Sequence, residues 1–159
     1  MTGDVSRFMF RAIALARLGM ENNSGGPFGC IITRGNEIIA EGCNRVTSTN
    51  DPTAHAEIVA IRRACEVLES FQLTGCSLFT SCEPCPMCLG AIYWARPDRI
   101  YIAATRFDAA EAGFDDAFIY TELCKTNSTD RRIPIEQLHR DEAVEVFREW
   151  ISKPDKINY

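Results

Sequence analysis

Pro52-Thr53-Ala54-His55-Ala56-Glu57 and, further along the chain, Pro84-Cys85-Pro86-Met87-Cys88 are the two stretches around which the sequence is organised. Each reads as the entry to a helix. Ile58, Ile61, Ala64, Cys65 and Leu68 recur with a 3.6-residue period, which predicts a helix over about residues 54–69 with Thr53 as its N-cap. Pro86 sits where a helix tolerates proline, near its start, and predicts a second helix over residues 86–95 that Pro97 stops. Working outward, residues 28–33, 37–41, 77–80 and 99–103 read as strands, the first two joined by Arg34-Gly35-Asn36 as a hairpin. Strands alternating with helices in this way predict a layered α/β domain.

The two stretches also carry chemistry. Zinc favours tetrahedral sites of imidazole nitrogen and thiolate, and a catalytic zinc keeps one of its four positions for water. His55, Cys85 and Cys88 supply three ligands. One neutral imidazole and two thiolates balance the charge of the metal and leave its water acidic enough to ionise near pH ~7. Glu57, two residues past the histidine, is the candidate proton carrier. In mid-helix, residues two apart face different ways; in a first turn both can reach a metal beyond the helix end. Cys85 and Cys88 are three apart, on one face of their helix, and a helix N-terminus favours the thiolate.

A Cys-x-x-Cys alone is compatible with a redox pair, half of a structural zinc knuckle or buried cysteines. Here the chain holds two histidines and one of them falls in frame. Cys82 extends the pattern to Cys82-x-x-Cys85-x-x-Cys88 and is the nearby candidate for a closing fourth ligand. It follows a β-like run and precedes Glu83-Pro84, where the residue before proline is held extended. Cys82 therefore belongs to a strand end, and Cys85 and Cys88 are the ligands.

At 159 residues the chain is expected to form one domain over residues 1–151, large enough to bury roughly 70% of its unfolded surface. Its formal charge is -5 and no basic block appears, so no nucleic-acid partner is expected. Arg11 and Arg17 interrupt the apolar run 8–20, which is neither a signal peptide nor a membrane span. No secretory signal accompanies the eight cysteines, which points to a reducing cytoplasm. Cys30, Cys43, Cys65, Cys76 and Cys124 read as small buried apolar residues.

The rest is read in order. Residues 5–21 predict an amphipathic helix with Phe8, Ala12, Leu15 and Leu18 or Gly19 inward and Arg7, Arg11 and Arg17 outward. Gly25-Gly26-Pro27-Phe28-Gly29 lacks the lysine and spacing of a phosphate loop. Its glycines are expected to permit a bend that sets Phe28 against a pocket, although a core Phe28 fits equally well. Residues 42–51 form a polar loop leading into the first motif. Asn44 there is a candidate substrate contact, because an amide both donates and accepts, or else a turn-maker. Tyr93 and Trp94 suit either core packing or stacking on a substrate. Residues 131–135 suggest a short strand or an extended segment, and 142–151 a helix.

Together with the zinc motif, Gly26-Pro27-Phe28-Gly29, Thr49 to Glu57, Thr80 to Trp94 and Asp108 to Tyr120 resemble the cytidine-deaminase superfamily. Glu111-Ala112-Gly113-Phe114-Asp115-Asp116 and the end Lys156-Ile157-Asn158-Tyr159 resemble its small bacterial guanine deaminases. The resemblance implies a three-layer α/β/α cytidine-deaminase-like fold with a five-stranded mixed sheet, assembled as a homodimer. It implies zinc on His55, Cys85 and Cys88, Glu57 as proton shuttle, and hydrolysis of guanine to xanthine and ammonia. Asn44 and Asp116 would bind the base, with Phe28 and Trp94 as ring contacts. The tail, residues 152–159, would bring Tyr159 over an active site, its own or its neighbour's. Cys43 beside Asn44 departs from the family pattern. Competing readings are a deaminase of another base, nucleoside or aminotriazine, a transfer-RNA adenosine deaminase, and a structural zinc module.

Overall fold

The structure, a computed structural model, describes residues 2–159. The chain forms two compact units, one ending at Asp116 and the other comprising Ala117–Tyr159.

The first unit opens with α1 (Thr2–Glu21), followed by β1 (Gly29–Arg34) and β2 (Glu37–Cys43). Gly35, at φ +58°, makes the turn between these strands, a left-handed conformation that suits glycine. Next come α2 (Val46–Thr49), α3 (Ala56–Leu68), β3 (Cys76–Cys82), α4 (Pro86–Ala95), β4 (Arg99–Ala104) and α5 (Arg106–Glu111). The sheet runs in the order β2-β1-β3-β4. β1 is antiparallel to both β2 and β3, and β3 is parallel to β4, as a helical crossover through α4 requires.

The sheet is mixed as expected, but it has four strands among the described residues, not five. Residues 131–135, the one further extended stretch foreseen, form bends and irregular chain. Pro134 in their midst has no N–H to give a ladder.

Alternation along the strands distributes the core to two faces. Cys30 and Ile32 of β1 and Cys76 and Leu78 of β3 pack with Ala56, Ala60 and Ala64 of α3 and Ile92 and Ala95 of α4. Ile31 and Phe79, between them in sequence, pack with Phe8, Ala12 and Leu15 of α1 on the other face. The result is three layers, helix on both sides of a sheet whose central strands are buried on both faces. α1 lies so close that a Cβ on Gly29 would meet the Ala12 carbonyl oxygen at 2.2 Å.

Thr53 does not cap the first motif helix. Its N–H and hydroxyl both donate to Asp51 Oδ1, at 2.8 and 2.7 Å, which holds it in the preceding turn. His55 is the N-cap instead. The second motif helix starts at Pro86 as the sequence predicts, with Cys85 as N-cap. Of the five cysteines expected to be buried, Cys30 and Cys76 are, Cys43 and Cys65 are half-buried, and Cys124 is exposed. No helix among the described residues is long and apolar enough to cross a membrane.

The second unit contains α6 (Ala117–Cys124), a 3-10 turn (Ser128–Asp130) and α7 (Arg140–Ser152). Lys125 Nζ donates to Glu122 Oε1 at 2.7 Å and to the Asp130 carbonyl at 2.8 Å, and Arg132 N–H donates to Glu122 Oε2 at 2.7 Å. Several of its large apolar side chains are exposed, among them Leu123, Ile133, Leu138, Val146, Phe147 and Ile151, whereas Ile119 and Val144 are half-buried.

Candidate metal centre

Two helix N-termini deliver the motif residues. His55 and Cys85 are both N-caps in extended conformation, and neither uses its side chain to cap, which leaves imidazole and thiol free to point past the helix ends. Glu57 lies in the first turn of α3 and Cys88 in that of α4. His55 Nδ1 is 3.6 Å from Cys85 Sγ and 3.5 Å from Cys88 Sγ. All three donor atoms lie within 4.8 Å of one another. Zinc bonds of about 2.05 Å to nitrogen and 2.3 Å to sulfur, at a tetrahedral angle, would set nitrogen and sulfur roughly 3.6 Å apart. The residues present fit that ion.

Cys85 is lowered to about 4, first because Cys88 donates a hydrogen bond to it and further because His55 lies beside it. Cys88, the partner that keeps its proton, is pushed up by that bond and by burial. The Cys85 hydrogen bond raises His55. Cys82 closes β3 and donates its thiol to the Thr105 carbonyl at 3.4 Å; it is outside the ligand group, as its place before Glu83-Pro84 foretold.

Glu57 is 6% exposed. Burial raises its carboxyl group, while hydrogen bonds from its own backbone N–H, Thr80 and Cys88 draw it back. Thr80 Oγ1 donates to Oε1 at 3.0 Å and Cys88 Sγ approaches Oε2 at 3.4 Å. A carboxyl raised toward neutrality and aimed at the ligand group is suited to taking up and returning protons. Thr80 went unread in the sequence. The available signal was a hydroxyl at an inward strand position, in step with Leu78.

Asn44 is buried, and its Oδ1 accepts from the N–H groups of Val46 at 3.1 Å and Gly26 at 3.3 Å. Two donors on that atom require it to be the amide oxygen, so the turn-making role foreseen for Asn44 holds. The oxygen shapes the turn, and the amide nitrogen is what remains for a ligand. The bend foreseen for the glycines is present over residues 24–27, and close approach is a second demand: a Cβ on Gly25 would sit 2.2 Å from Asn44 Oδ1.

Phe28 is half-buried, packs against the α3–α4 core, and meets Phe114 edge-on with ring centroids 5.0 Å apart. That contact ties the loop before β1 to the segment after α5 that ends in Asp115 and Asp116. Phe28 and Phe114 also line an apolar cleft of about 360 Å³ with Ile13, Pro27 and Cys82; the ligand group is not part of its wall. Burial raises Asp116, as does the adjacent Cys85, and Asp116 acts in turn on His55. Asp116 therefore reaches the field of the metal centre. Trp94 sits in the last turn of α4, 64% exposed, roughly 9 Å of helix rise beyond Cys88. Tyr159, in the second unit, is exposed.

The profile of the cytidine and deoxycytidylate deaminase zinc-binding region matches residues 3–104, which contain every element of this centre. The chain belongs to that deaminase family. Among its relatives, the guanine deaminase of Bacillus subtilis is 54% identical over 152 residues, 96% of this chain and 97% of that one. A transfer-RNA-specific adenosine deaminase of Aquifex aeolicus is 34% identical over 127 residues, 80% of this chain and 81% of that one. The X-ray structure of the Bacillus subtilis guanine deaminase superimposes with a TM-score of 0.94 at 53% identity, covering 97% of this deaminase and 98% of that chain. The α/β cytidine-deaminase-like architecture is thereby shared along almost its full length.

Proposed function

We propose that this deaminase hydrolyses guanine to xanthine and ammonia at a zinc site held by His55, Cys85 and Cys88. The observation that carries the reading is the likeness to a guanine deaminase across both units of the chain, coupled with a His-Cys-Cys-Glu centre of the right dimensions.

Bound there, zinc supplies Lewis acidity and lowers the pKa of water. The protein's own residues do the rest. Glu57 takes a proton from the attacking water and returns protons to the ring and to the amine leaving carbon 2. Its burial matches it to both directions of transfer. Asp116 faces the ring N–H and exocyclic amine of guanine as an acceptor, and the Asn44 amide nitrogen donates to an acceptor on the base. Phe28, steadied by Phe114, walls the planar ring.

The exposed apolar side chains of residues 117–159 support a homodimer, since a patch of this kind marks an interaction surface. The cytoplasm and a place in purine breakdown complete the reading. The test is ammonia release from guanine, set beside adenine, cytosine, their nucleosides, an aminotriazine and an adenosine-containing RNA hairpin. Guanine is expected to be turned over fastest, with xanthine as product. Glu57→Gln should keep its zinc and lose roughly two to four orders of magnitude in kcat. Fast release from another substrate with none from guanine would replace this reading.

A further inference from the structure

Thr80 sits in the middle of the sheet. Its backbone lies opposite Cys30 of β1 on one side and Ile102 of β4 on the other. Alternation puts its side chain on the same face as Leu78, toward α3 and α4. There its hydroxyl donates to Glu57 Oε1 at 3.0 Å, with Thr80 1% and Glu57 6% exposed. The β-branched side chain has few rotamers, and a strand paired on both sides does not shift, so this donor is rigid. The fold does not need the hydroxyl. Valine or isoleucine would serve a buried central strand position as well or better, and a buried hydroxyl costs stability unless it is bonded.

We propose that Thr80 is a positioning residue for the deamination, holding Oε1 of Glu57 so that Oε2 is presented to the His55-Cys85-Cys88 group. The inference rests on the reading of Glu57 as the proton shuttle. A carboxylate on a first helical turn turns freely about its terminal bond unless one oxygen is tied. The Thr80 hydroxyl ties it from the sheet, and Oε2 is left 3.4 Å from Cys88 Sγ, next to the reacting centre.

The experiment compares zinc-loaded wild type with Thr80→Val and Thr80→Ser, each also combined with Glu57→Gln, and determines the crystal structure of zinc-loaded Thr80→Val. Losing a hydrogen bond to a charged group should lower kcat on guanine roughly ten- to a hundredfold, with KM within about threefold and zinc content unchanged. Thr80→Ser should recover most of the rate. In the Glu57→Gln background Thr80→Val should cost nothing further, because the carboxylate it positions is gone. The crystal structure should show the Glu57 carboxylate rotated from its place. The proposal is overturned by an unmoved carboxylate, by an equal loss in the Glu57→Gln background, or by Thr80→Ser performing no better than Thr80→Val. If valine prevents folding, Thr80→Ala takes its place in every arm. A wild type inactive on guanine removes the substrate assignment, and the carboxylate position in the crystal then decides the role of Thr80 alone.

Discussion

His55 Nδ1 lies 3.6 Å from Cys85 Sγ, and each residue is the N-cap of its own helix. Two helix N-termini thus face one point, where their partial positive charge favours thiolates. The geometry predicts which cysteines matter. Cys85→Ser and Cys88→Ser should lower zinc content measured by elemental analysis, whereas Cys82→Ser should keep it, since that thiol bonds the Thr105 carbonyl instead. Chelation of wild type should lower its melting temperature, because an ion bound only by the folded state stabilises it. Zinc loss confined to Cys82→Ser would reverse the ligand assignment.

Asn44 Oδ1 holds the turn, and the proposed ligand contact of the amide nitrogen can be separated from that role by mutation. Asn44→Ala removes the acceptor for Gly26 and Val46 N–H and should destabilise the protein by about 1–3 kcal/mol in denaturant unfolding. Asn44→Asp keeps the acceptor and removes the nitrogen donor. It should melt close to wild type while raising KM for guanine roughly tenfold. Equal activity in wild type and Asn44→Asp would confine Asn44 to the turn.

Much of the fold was legible because its signals are local. The 3.6-residue apolar period of α3, Pro86 at the first position of α4 and the alternation of Ile31 with Cys30 and Ile32 each specify an element by themselves. The candidate ligand cluster was legible for the same reason: residue type and spacing bring His55, Cys85 and Cys88 together when two helix starts carry the donors. What was not legible depends on contacts between distant segments. Thr80 and Glu57 meet only when β3 pairs with β1 beneath α3, and Gly25 is fixed by an Asn44 side chain nineteen positions on. Trp94, a ring contact implied by family likeness, is exposed in the last turn of α4, and its place beside a motif does not by itself say what it touches. The fifth strand was expected from family likeness, while Pro134 argued locally against it.

Burial raises Asp116, as does the charge of Cys85, and Asp116 in turn raises His55. As a carboxylate it is acceptor-only, which suits the adjacent ring N–H and amine of guanine. Asp116→Ala should lower kcat/KM for guanine by roughly one to two orders of magnitude, the cost of leaving buried donors unpaired. Thermal melting and zinc content should change little, since the side chain is only half-buried. A fall in melting temperature that accounts for the lost activity would mark Asp116 as structural.

The tail follows α7, which ends at Ser152, and its first residues are tied locally. Lys153 pairs with Asp155, and Lys156 Nζ donates to the Ile151 carbonyl. Beyond them Ile157 is 68% and Tyr159 71% exposed. Docked against an apolar surface, these two side chains would be removed from water, which is favourable. Acting as a lid over an active site, it would exclude water and strengthen the electrostatics around the purine. Deletion of residues 155–159 should leave melting and zinc content at wild-type values while lowering guanine turnover at least tenfold. Tyr159→Phe, which keeps the ring and the terminal carboxylate, should retain more activity than the deletion. Full turnover in the truncated protein would show that the tail closes nothing.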